Sequence, residues 1–171
     1  MPPLEVQRQK TAAYDCLYNP QRCTPADLAS WLPDNAASLW AQRELLAESS
    51  SAISYRVQVG GRRLFAKQLK PRSWYHRWSE ILLSPPCFRQ FWAAGRVMKA
   101  GILTPVPLLS AVLRQGDGGQ ILVTEFCEQA RGLDEFFAAA KGTMRGQALV
   151  EVADLISEFH RRGFYSRHLR S

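Results

Sequence analysis

Apolar and polar residues alternate with a period of two along Tyr55-Arg56-Val57-Gln58-Val59, and an extended pattern resumes from Arg62 to Leu69 after Gly60-Gly61. Side chains of a strand point to its two faces in turn, and two adjacent glycines accept the positive φ of a tight turn, so this stretch predicts a hairpin. The strand pattern begins at Glu44. A second hairpin is predicted where Leu108 to Leu113 and Ile121 to Phe126 flank the turn-forming Gly116-Asp117-Gly118-Gly119. Between the two hairpins the period changes. Phe88, Phe91, Trp92, Gly95 and Met98 share one face of a helix that starts after Pro85-Pro86 and closes at Gly101, and Ile102 to Pro105 leads away in extended form. Beyond Cys127 to Gly132, which breaks the strand pattern, Leu133 to Ala140 predicts a short helix. Leu149, Val152, Ala153, Ile156 and Phe159 predict a long one ended by Gly163.

The first 43 residues alternate short patches, punctuated by Pro20, Pro25 and Pro33. Thr24-Pro25-Ala26-Asp27 reads as a helix start, with Thr24 as N-cap and proline at the first helical position, leading into Leu28 to Leu32. Strands followed by helices across a linker indicate an α+β protein in two layers or lobes. We therefore divide the chain into an N-terminal helical extension (1–43), a sheet-and-helix unit (44–126) and a hinge with further helices (127–171).

Composition narrows the partners more than the fold. With 46% apolar residues the chain is of ordinary globular make-up, and the net charge of +7 favours a polyanion: nucleic acid, an anionic membrane face or a phosphorylated substrate. No apolar run reaches the ~18 residues of a membrane span, and the N-terminus lacks the layout of a signal peptide, which implies a cytoplasmic protein. Cys16, Cys23, Cys87 and Cys127 form neither a CxxC pair nor a close-spaced framework, so they read as reduced thiols. No acidic residue occurs from Arg62 to Ser79, and the segment mixes basic residues with Trp74, Tyr75 and Trp78. It suits the anionic inner face of a membrane, with aromatic rings at headgroup depth. A solvated basic face with its tryptophans packed inward fits equally well, and nucleic-acid binding is not the expectation.

Lys67 stands in the second arm of the first hairpin, on the face it shares with Phe65. By pattern alone it is a solvated strand lysine. Phe65-Ala66-Lys67 looks, however, like the strand-borne lysine motif of kinases, and the order strand, strand, strand, helix, strand, strand is that of the kinase small lobe. More narrowly, the chain resembles the lipopolysaccharide core kinases that phosphorylate heptose or Kdo sugars. The resemblance rests on Tyr55 to Lys67, Trp74 to Leu83, Ala100 to Pro105, Leu122 to Glu125 and Phe159 to Tyr165, and runs from Glu44 to the end. It implies a protein-kinase-like small lobe, a five-stranded antiparallel sheet plus one helix, joined to the first helices of a truncated large lobe. It also implies ATP and Mg²⁺ as cofactors and a lipopolysaccharide core or lipid A precursor as partner.

Carried over residue by residue, the resemblance assigns Lys67 to the nucleotide phosphates, Ser49, Ser50 and Ser51 to the loop over them, and the backbone of Glu125 to Cys127 to adenine. A plain polar turn and an ordinary strand end are the competing readings of those two segments. Two positions depart from the family pattern. Gln90 falls where the family has the helix glutamate that pairs with the lysine, and His168 falls on the catalytic aspartate. Glutamine can hydrogen-bond Lys67 without neutralising it, and a neutral imidazole can accept a proton without attracting magnesium. The family's magnesium-binding positions would lie beyond Ser171, so the resemblance implies an incomplete chain without turnover of its own. An ATP-dependent sugar kinase and a non-catalytic pseudokinase, or nucleotide- or lipid-binding module, are the two functions that follow.

Overall fold

A computed structural model of the chain describes residues 4–32, 42–70, 84–114, 119–130 and 132–165. These residues divide into two compact units, 1–126 and 127–171.

The first unit is built on one antiparallel sheet. In chain order its elements are β1 (Gln7–Lys10), β2 (Tyr14–Tyr18), α1 (Pro25–Trp31), β3 (Arg43–Glu48), β4 (Ala52–Val59), β5 (Arg62–Leu69), α2 (Pro86–Lys99), β6 (Pro107–Leu113) and β7 (Gln120–Glu125). The strands lie in the order β1-β2-β6-β7-β5-β4-β3. Both expected hairpins are present: β4 pairs with β5 from Ala52↔Leu69 to Val59↔Arg62, and β6 pairs with β7. Gly60 and Gly61 make the first turn at φ of 57° and 76°, values that a Cβ would strain. The second turn lies at 115–118, outside the described residues.

The sheet has seven strands, not the five expected. The two additional strands come from the N-terminal 43 residues, which contain a hairpin as well as a helix. β1 and β2 pair with each other, and β2 continues onto β6 from Tyr14↔Leu113 to Tyr18↔Leu109. The cause is legible in hindsight: Tyr14, Cys16 and Tyr18 recur every second residue and are buried, whereas Asp15 faces the other way and bonds Arg8. The expected helix α1 starts as read. Thr24 Oγ1 accepts from the Asp27 N–H, and Asp27 Oδ2 accepts from the Thr24 N–H at 2.7 Å, a reciprocal capping box.

Two cores cover the two faces of the sheet. On one face Cys16, Val57, Leu64, Ala66, Ala111, Ile121 and Val123 join Leu28, Trp31 and Leu32 of the α1 region. On the other, Leu17 and Leu122 meet Cys87, Phe88 and Phe91 of α2, with Leu4, Val6, Leu69 and Val112 packed around them. α2 lies over β6 and β7. Its C-terminus closes on Gly101, whose N–H donates to Met98 O while the Ile102 N–H donates to Val97 O, so the last carbonyls are satisfied.

The second unit contains α3 (Leu133–Ala139) and α4 (Thr143–Arg161). α4 ends as the sequence indicates. Gly163 N–H donates to His160 O, Phe164 N–H donates to Phe159 O, and the Phe159 and Phe164 rings meet edge to face at 5.9 Å. Of the expected apolar face, Val152, Ile156 and Phe159 are half-buried, while Leu149 is exposed.

Candidate functional site

The site is easiest to see as one row of cross-strand partners. Leu17 on β2, Ser110 on β6, Leu122 on β7, Lys67 on β5 and Ser54 on β4 stand opposite one another in sequence across the sheet. They therefore share a face, the one that carries α2. Phe88 and Phe91 pack onto Leu17 and Leu122. Lys67 is the next position outward, where the helix no longer covers the sheet, and it is half-buried. It has no hydrogen-bond or ion-pair partner among the described residues. Phe65 and Thr124, also cross-strand partners, form the adjacent row on the same face, and Thr124 is buried.

α2 is fixed above this row at both flanks. Pro85 offers no side-chain cap at its start, and the strand supplies one instead: Gln120 Oε1 accepts from the Cys87 N–H at 3.1 Å. On one flank Leu4 packs against Gly95 so closely that a Cβ there would lie 2.6 Å from Leu4 Cδ2, and the Arg8 guanidinium sits over the Phe88 ring. At 100° per residue, Gln90 falls on the opposite flank, together with Ala94 and Val97. Gln90 is half-buried, whereas Arg89 and Arg96 stand on the exposed side of the helix. No hydrogen bond joins Gln90 and Lys67 in this state of the chain.

Ser49, Ser50 and Ser51 form the turn between β3 and β4, about 10 Å along the strand from the row of Lys67 at ~3.3 Å per residue. The turn is largely self-satisfied. Ser49 Oγ accepts from the N–H groups of Ser51 and Ala52 at 3.3 and 3.1 Å and donates to Ala52 O. Glu48 and Lys70 close its base with a 2.7 Å ion pair. Ser51 Oγ lies 3.4 Å from Ser49 Oγ, and the Ser50 hydroxyl has no hydrogen-bond partner among the described residues.

Glu125 ends β7, half-buried. Its backbone N–H donates to Val106 O and its carbonyl accepts from Thr124 Oγ1. Both polar groups of its backbone are therefore engaged, and its carboxylate lies 3.8 Å from Arg22. Cys127, the other end of the stretch expected to meet adenine, is exposed. His168 and the Arg62 to Trp78 segment beyond Lys70 lie outside the described residues.

The structure thus places Lys67 in the helix-side row of the sheet, with the serine turn about three residues along the neighbouring strand. Sequence reasoning missed the two anchors of α2. Gln120 carries no local signal as a helix cap, because the helix it caps lies 33 residues away. Leu4 and Val6 could have been suspected only after β1 and β2 had been found.

Comparison with known proteins adds one finding of identity. The sequence profile of the lipopolysaccharide kinase (Kdo/WaaP) family matches residues 42–169. No curated protein matches the chain.

Proposed function

Because the chain belongs to the lipopolysaccharide kinase (Kdo/WaaP) family, we propose that it is a phosphotransferase of that type, in which Lys67 holds the phosphates of ATP while a hydroxyl of a heptose or Kdo sugar of the lipopolysaccharide inner core is the acceptor. The observation that carries this reading is the placement of Lys67: a half-buried cation, unpaired among the described residues, on the helix side of β5, an interior strand of the sheet. A partly desolvated ammonium with no partner among the described residues can gain from a polyphosphate through charge-assisted hydrogen bonds worth about 1.5–3 kcal/mol each.

Around it, Gln90 supplies an amide able to orient the ammonium, and Ser50 is the member of the serine turn free to meet a phosphate oxygen. The backbone at Phe126 and Cys127 would meet adenine. Magnesium, when bound with the nucleotide, would neutralise phosphate charge in the transfer. Among the described residues no three His, Cys, Asp or Glu side chains converge to hold it, so we assign it no ligand. His168 would accept the acceptor's hydroxyl proton as a neutral imidazole.

A second reading is favoured by one feature of α2. The helix contains no acidic residue, so nothing on it can neutralise Lys67. In that reading the fold binds nucleotide or lipid A phosphates without turnover, as a pseudokinase does. The deciding experiment incubates the chain with γ-labelled magnesium-ATP and deacylated lipopolysaccharide core, beside Lys67→Ala. Label transferred to sugar and lost in the variant supports the kinase. Nucleotide binding without transfer supports the second reading, and transfer that does not depend on Lys67 contradicts both assignments of this residue.

A further inference from the structure

The outer side of α2 has a composition unlike the rest of the first unit. Arg89, Trp92, Arg96 and Lys99 follow the spacing i, i+3, i+7 and i+10, and all four are exposed. Trp92 keeps 47% of its surface accessible, although its ring meets Phe91 edge to face at 6.3 Å. Elsewhere in this unit cations are largely occupied: Arg8 with Asp15, Arg22 with Glu125, Arg56 with Glu44 and Lys70 with Glu48. The three on α2 have no ion-pair partner among the described residues. The helix carries no acidic residue, and the exposed Glu5 on the neighbouring segment is paired with none of them. Leu103, four residues past Lys99, is 88% exposed.

Three unneutralised cations around an exposed tryptophan repel a second copy of the same surface and complement an anionic one. The tryptophan selects among anionic partners. An indole with an apolar body and one N–H is at home at the depth of lipid headgroups, where cations meet phosphates and the ring leaves bulk water. We propose that the Arg89–Trp92–Arg96–Lys99 stripe of α2 is a docking surface for a bilayer containing anionic phospholipid. This surface is made of residues other than Lys67, and it does not depend on the chain being a kinase. With α2 lying along the membrane, the row that carries Lys67 stays on the other side of the helix, free of lipid.

The test is sedimentation of the 171-residue chain with vesicles of phosphatidylcholine alone and of phosphatidylcholine with phosphatidylglycerol at 3:1. We expect binding to the anionic vesicles only, weakening as salt shortens the screening length. Replacing Arg89, Arg96 and Lys99 by glutamine should lower partitioning on the order of a hundredfold, since each cation near the surface contributes roughly fivefold. Arg89→Lys with Arg96→Lys should retain it, and Trp92→Ala should lower it several-fold. The three cations are exposed, and an unchanged melting temperature of the glutamine variant verifies that the fold is intact. Wild-type partitioning by that variant would overturn the proposal and move the contact to another basic segment. Equal binding to neutral vesicles would overturn it, as would displacement from anionic vesicles by a short single-stranded oligonucleotide held more tightly by the same stripe.

Discussion

Ser110 lies in the row of Lys67 and directly under α2, with its hydroxyl fully buried and no hydrogen-bond partner among the described residues. A buried hydroxyl without a partner costs about 1–3 kcal/mol, so Ser110→Ala should leave stability unchanged or raise it, and a fall in melting temperature would mean that the hydroxyl is satisfied. The cysteines differ as sharply in their surroundings. Burial pushes the Cys16 thiol up to about 11 and the Cys23 thiol up to about 12, while Cys127 is exposed. Thiolate is the reactive form, so iodoacetamide near pH 8 should modify Cys127 in the native chain and reach Cys16 and Cys23 only after denaturation. Labelling of either buried thiol at the rate of Cys127 would contradict the packing of the core that β2 and the α1 region share.

The N-terminal hairpin is held at its outer edge by a fork: Arg8 Nε and Nη2 donate to Asp15 Oδ1 and Oδ2 at 2.9 and 2.7 Å. The hydrogen bonds from Arg8 hold the Asp15 carboxyl below its ordinary value, against the opposing effect of burial. A carboxylate whose folded pKa is depressed contributes stability above its unfolded pKa of about 3.9, and loses it as pH falls through the lower, folded value. Asp15→Asn should therefore cost about 1 kcal/mol or less at pH 7, a difference that shrinks below about pH 4 and disappears under strongly acid conditions. A deficit unchanged down to pH 2 would refute the ion pair's role. For α2 the decisive contact is Phe91, whose side chain is fully buried against Leu122. Phe91→Ala should cost about 3–5 kcal/mol by chemical denaturation and speed amide exchange throughout the helix.

The family match begins at residue 42, yet residues before it complete both cores of the first unit. Removing residues 1–32 would strip Trp31 and Leu28 from one face and Leu4, Val6 and Leu17 from the other. We expect that variant to be insoluble or to melt far below the full chain, and equal stability would show the extension to be an accessory. This extension is also where sequence reading fell short. Gly60-Gly61 and the Thr24 cap are local signals, encoded within a turn or two of chain, and each appears where the pattern placed it; of the apolar face read for α2, Phe88, Phe91, Gly95 and Met98 are buried, whereas Trp92, at the edge of that face, is exposed. β1 and β2 are four and five residues long; β2 is held by pairing with β6, almost a hundred positions away, and β1 by pairing with β2, so little local preference announces them. The candidate site divides in the same way. Alternation puts Lys67 on a face, but only the sheet order and the packing of Phe88 and Phe91 on Leu17 and Leu122 show that this face carries α2.

The kinase reading stands on Lys67, and the binding of nucleotide by that residue can be measured without any acceptor sugar. Titration of the purified chain with magnesium-ATP by calorimetry, beside Lys67→Ala, isolates the contribution of the ammonium. We expect saturable binding that weakens about 10- to 150-fold in the variant, the equivalent of a charge-assisted hydrogen bond of about 1.5–3 kcal/mol, with a melting temperature unchanged in the absence of nucleotide. Binding of equal strength in both proteins would contradict the assignment of Lys67 to the phosphates.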